Sequence, residues 1–147
     1  MPVIPPTPPA SPAVAQNIDD PNRSIPVDGV SHSLAAHSAT WFRFAYSRRN
    51  DNGERITRTV RLVNGNHSGV HFEVWTPDHV NDWWDNQKPV RRGTVYMLDC
   101  DTGEFSETGE CESPDLIWIG SFNTDATYYV RVVNDNGQPA VFTLTIQ

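Results

Sequence analysis

The stretch GVHFEVW, residues 69–75, decides how this chain reads. Val70, Phe72 and Val74 are apolar and His71 and Glu73 between them are polar. A period of two marks a strand with one buried face, Val70, Phe72 and Val74 inward and His71 and Glu73 outward. A helix needs apolar residues three and four apart, and no window sustains that spacing. Working outward, the alternation recurs. WFRFAY (41–46) sets Phe42, Phe44 and Tyr46 against Trp41, Arg43 and Ala45, and ITRTVRLV (56–63) sets Ile56, Val60 and Leu62 against Thr57, Thr59 and Arg61. GTVYML (93–98), DLIWIGSF (115–122), TYYVRVV (127–133) and AVFTLTI (140–146) continue the series, and a further strand is expected near 25–30. RNDNGE, VNGNHSG, FNTDAT and NDNGQP fall between these runs, and Asn, Asp and Gly supply the backbone angles of tight turns. About eight short strands punctuated this way predict an all-β antiparallel sandwich or barrel. Phe42, Phe44, Val70, Phe72, Val74, Trp118, Tyr128 and Val130 are its expected core.

The first 24 residues obey a different rule. MPVIPPTPPASPAV carries six prolines in its first twelve positions and no charged side chain. Proline fixes φ and lacks an N–H, so an extended polyproline II arm is expected over 1–24, with the globular domain over 25–147. The arm lacks the basic start and unbroken apolar run of a secretory signal. It reads as a linker or as an element that docks on a neighbouring molecule, and the turn DDPNRS (19–24) is expected to let it leave the domain in any direction. In the docking reading Val3, Ile4, Val14 and Ile18, the arm's sizeable branched apolar residues, carry the burial. Residues 13–18, free of proline, would pair with an exposed strand edge. With Met1 first and no catalytic domain beside it, the chain is expected to be a complete subunit or an excised fragment.

Composition narrows the partners. A net charge of −7 argues against nucleic acid, whose phosphates demand cations, and no segment approaches the ~20 apolar residues of a membrane span. The two cysteines, Cys100 and Cys111, flank DTGEFSETGE, a loop rich in turn formers, and are expected to bond to each other. Such a bond implies an oxidising, extracellular compartment.

Together WFRFAY, GVHFEVWTP and the closing DLIWIGSF…TYYVRVVN…VFTLTIQ resemble the bacterial pre-peptidase C-terminal (PPC) domain family over roughly residues 25–147. Ala126 stands where that family usually has glycine, and the segments 78–93 and 99–115 exceed its compact pattern. The resemblance implies a secreted jelly-roll sandwich without catalytic activity, found beside secreted hydrolases or in surface proteins. Some such relatives bind collagen or polysaccharide, and a collagen-binding branch uses calcium. By that analogy Asp19 and Asp20, at the arm's junction, become candidate calcium ligands.

Signs of catalysis are sparse. His67 and His71 are four apart but lie in turn and strand, without the helix and glutamate of a zinc-protease motif. Serine-elbow and phosphate-loop patterns do not occur, so an enzyme and a cofactor are not expected. Two features invite a ligand. Trp83 and Trp84, adjacent in the 78–93 segment, either cap the sandwich or present an indole to a polysaccharide or protein. The acidic run from Asp99 and Asp101 to Asp115 is either a solvated hairpin or a source of oxygen ligands for Ca²⁺. The leading expectation is a structural module that assembles with copies of itself through its arm. The alternative is an accessory binding module of a secreted hydrolase.

Overall fold

Strand alternation becomes two stacked sheets in the structure, a computed structural model that describes residues 18–85 and 88–147. The larger sheet contains β1 (Ile25–Pro26), β3 (Ala39–Tyr46), β5 (Val70–Trp75), β6 (Arg91–Arg92) and β10 (Ala126–Asn134), in the order β1-β3-β10-β5-β6. The smaller contains β2 (Ser31–Leu34), β4 (Arg58–Leu62), β9 (Leu116–Gly120) and β11 (Ala140–Ile146), in the order β2-β11-β4-β9. A hairpin of β7 (Met97–Leu98) and β8 (Cys111–Glu112) stands apart. Every strand pair is antiparallel except β1 with β3. The helical turns are short: a 3-10 turn at Pro21–Arg23 and α1 at Pro77–Val80. The all-β sandwich read from period two is the observed fold.

The core lies between the sheets and holds every expected member. Phe42 and Phe44 of β3, Phe72 and Val74 of β5, and Tyr128 and Val130 of β10 meet Leu62, Trp118 and Leu144 of the opposite sheet. Rings interlock: Phe42 stands edge-on to Phe142, and Phe122 stacks on Tyr128 at 3.8 Å. Offset and T-shaped pairs are the favourable aromatic geometries.

Three expectations need correction. GTVYML is not a full strand. Its start, Gly93, donates a hydrogen bond to the Phe72 carbonyl of β5 in the larger sheet, while Thr94 exchanges two backbone bonds with Ile117 of the smaller one. The segment is a corner where the chain changes sheet, and a Cβ on Gly93 would overlap the Phe72 ring. Second, β2 was missed, because Ser31-His32-Ser33-Leu34 offers only Leu34 as an apolar signal. His32 is nevertheless buried between Phe42 and Phe142, with Asp28 accepting from its Nε2 at 2.9 Å. Third, Trp41 and Glu73, on the face assigned to solvent, are 1% and 7% exposed. A second layer covers that face.

Candidate functional site

The second layer begins with cross-strand registry on the outer face of the larger sheet. Arg131 of β10 lies between Trp41 of β3 and Glu73 of β5, and Tyr129 between Arg43 and Trp75. Trp41, Trp75, Val80 and Trp83 form an apolar cluster over this face, with Trp41–Trp75 and Trp41–Trp83 centroids 5.9 and 5.3 Å apart. Trp83 arrives there because Thr76, capping α1 by accepting from the His79 N–H, turns the chain back over the sheet after β5.

Charge is woven into this layer. Arg131 donates from Nε and Nη2 to the two oxygens of Asp19 at 2.9 and 2.6 Å, and from Nη1 to Glu73 at 3.2 Å. Its guanidinium also lies over the Trp83 ring, 5.3 Å from the centroid. The indole Nε1 groups of Trp41 and Trp75 donate to Asp19 and Glu73. Burial opposes the charge on Arg131, yet the hydrogen bond and charge of Asp19, joined by Glu73, outweigh it and hold the guanidinium above its ordinary pKa.

The turn DDPNRS therefore does not leave freely. Asp19 is clamped to the sheet, Asp20 caps the 3-10 turn by accepting from Asn22 N–H, and Pro21 is buried. Arg43 donates to the Ser24 carbonyl, which fixes the last residue before β1.

Between this docked turn and the Trp83–Trp84 loop opens a cleft of about 480 Å³. Asp19, Asp20, Pro21 and Asn22 line it from the turn, Val80, Asn81, Trp83 and Trp84 from the loop, and Tyr129 from β10. The two tryptophans divide the readings made for them. Trp83 packs against the sheet, whereas Trp84 is 64% exposed on the cleft's rim. Neither histidine, cysteine nor a hydroxyl side chain of serine or threonine lines the cleft among the described residues.

The remaining candidates disperse. Cys100 and Cys111 are bonded, their Cα atoms 5.2 Å apart, and they close the peripheral β7–β8 hairpin. Asp99 accepts from the N–H groups of Asp101 and Thr102, an Asx turn at the hairpin tip. Asp115, the last of the acidic run, is buried and accepts from Arg61 and from Asn64 N–H. Among the described residues no three His, Cys, Asp or Glu side chains are grouped to hold a metal ion. His71 pairs with Asp135 and His67 with Glu112, so the two histidines serve separate contacts. Ile18 is exposed at the root of the arm, while Val3, Ile4 and Val14 lie outside the described residues. Among the described residues no helix is long and apolar enough to cross a membrane.

Sequence reasoning missed Arg131, Glu73 and Tyr129 as site residues. The one signal for them was the density of tryptophan at 41, 75, 83 and 84. Comparison with protein-family models and with curated proteins finds no match for the chain.

Proposed function

We propose that the protein is a non-catalytic, extracellular β-sandwich module that assembles with further copies of itself through its N-terminal arm. The observation that carries this reading is the anchoring of the arm's root. The fork from Arg131 to Asp19 ties the root of the arm to the sandwich, so force or position is passed directly into the sheet. A passive linker needs no such clamp. The disulfide and the resemblance to secreted PPC domains support the extracellular location.

Three of the four outer strands are poorly suited to strand addition, the fourth being β2 (Ser31–Leu34). The outer strands of the larger sheet, β1 and β6, are two residues each, and β1 contains Pro26. The β9 edge of the smaller sheet is partly occupied by Thr94. Short, proline-bearing or covered edges are poor templates.

A second reading is favoured by the exposed Trp84: an accessory module gripping a polysaccharide or protein ligand in the cleft. Sedimentation velocity of the intact chain and of a chain beginning at Ile18 separates the two. Circular dichroism checks that the shortened chain keeps the sandwich, whose described strands begin at Ile25. Assembly requires that the intact chain associate with rising concentration and the shortened one stay monomeric. Equal behaviour of both chains rejects it, and retention of the shortened chain on an insoluble polysaccharide would then favour the accessory module.

A further inference from the structure

The cleft and the arm meet at Asp19, and their chemistries match. We infer that the cleft between the 3-10 turn and the Trp83–Trp84 loop takes a polyproline II segment, and that its occupant is the proline-rich arm of a second copy. This inference rests on the assembly reading above and names the surface that performs it.

The sequence of the arm supplies the ligand. Polyproline II has three residues per turn, so positions three apart share a face. Counted that way, Pro2, Pro5 and Pro8 fall in one ridge and Pro6, Pro9 and Pro12 in the next, with Val3 continuing the second. Two adjacent proline ridges are the shape that aromatic-lined grooves recognise, and a helix stiffened beforehand by its rings loses little entropy on docking.

The cleft supplies the receptor. Trp84 stands exposed, Trp83 is held edge-on by Trp41 and packed against the Arg131 guanidinium, and Tyr129 adds a third ring to the lining. Rigid aromatic faces with a polar edge suit proline rings and the carbonyls between them. Residues 1–17 have no charged side chain, so their side chains bring no charge that must be stripped of water in a cleft where three aromatic rings stand beside Asp19, Asp20, Asn22 and Asn81.

Reach favours a second copy: in polyproline II geometry, at about 3.1 Å per residue, the stretch from Pro2 to Pro12 would span about 30 Å. That length carries it from its root, clamped at Asp19 with Ile18 exposed, to a neighbouring molecule. The chain's own arm is the competing occupant, and the test separates the two.

The test uses the intact chain in sedimentation velocity, with Trp84→Ala and with a free peptide of residues 1–17 as competitor. Because the Trp84 side chain is largely exposed, its removal leaves the core intact, which circular dichroism and the melting temperature verify. The expected result is about a tenfold or greater weakening of self-association by Trp84→Ala, the scale of an interface anchor. The peptide should dissociate the assembly, and a peptide with Pro5, Pro6, Pro8 and Pro9 replaced by alanine should not. Association that survives both Trp84→Ala and excess peptide overturns docking in the cleft while leaving assembly through the arm standing. An intact chain that stays monomeric overturns both, and in that case tryptophan fluorescence that shifts when residues 1–17 are removed identifies the arm in its own cleft.

Discussion

Replacing Arg131 with Met removes the charge at the centre of the outer layer while keeping a side chain of similar length against Trp83. Three charge-assisted bonds disappear, two to Asp19 and one to Glu73. Their losses are unequal. The Asp19 side chain is 34% exposed, so its carboxylate turns to water and the loss there is about 1 kcal/mol or less. That of Glu73 is 10% exposed and keeps only the Trp75 Nε1 donor at 3.2 Å, so its carboxylate stays buried and undercompensated, at about 2 kcal/mol. The sum, about 3 kcal/mol, sits at the lower end of the range for breaking a buried pair. Urea unfolding measures it, as a midpoint lowered by roughly 1–3 M at unchanged slope. Adding Glu73→Gln should recover about 1–2 kcal/mol, because the neutral amide oxygen still accepts from Trp75 and no buried charge remains. A loss below about 1 kcal/mol, or a further loss on adding Glu73→Gln, would refute the claim that Arg131 exists to neutralise this layer.

Other consequences are open to direct measurement. Phe72→Ala should destabilise by about 3–5 kcal/mol, since the ring is fully buried and Gly93 closes against it; calorimetry or urea unfolding reads the change. Reducing Cys100–Cys111 should open the amides of residues 96–112 in hydrogen exchange and leave those of β3, β5 and β10 protected, because the bond closes a hairpin outside both sheets. Asp125 is held below the usual aspartate range first by the Arg48 backbone N–H and then by its guanidinium. Its folded-state pKa is depressed, so its contribution is complete above the ordinary aspartate range and is lost as pH falls through that range and below. Asp125→Asn should therefore lower the melting temperature at neutral pH and narrow the gap to the wild type in acid.

The inner face of the sandwich was legible in the sequence because period two assigns each side chain to a face before any contact is known. Phe72, Val74 and Val130 needed no further information. The outer layer was not legible for the same reason. Alternation sends Trp41, Glu73 and Arg131 to solvent, and what covers them comes from two segments without periodic pattern, the 3-10 turn and the α1 loop. Asp19 and Arg131 are 112 residues apart, and nothing local to either announces the pair. The resemblance to calcium-binding relatives suggested Asp19 as a ligand, and in the structure its oxygens accept from a guanidinium and an indole. The disulfide was legible because turn formers fill the loop it closes. His32 was hidden by its polar neighbours, although an aromatic slot between Phe42 and Phe142 accepts imidazole as readily as a phenyl ring.

Assembly depends most on the arm of one copy reaching another. Cross-linking from a photoreactive residue at position 9, in a mixture of light- and heavy-isotope chains, tests this most directly. The predicted result is cross-linked peptides that join residues 1–17 of one isotope to the segment containing Trp83 and Trp84 of the other. Cross-links confined to peptides of a single isotope would contradict it.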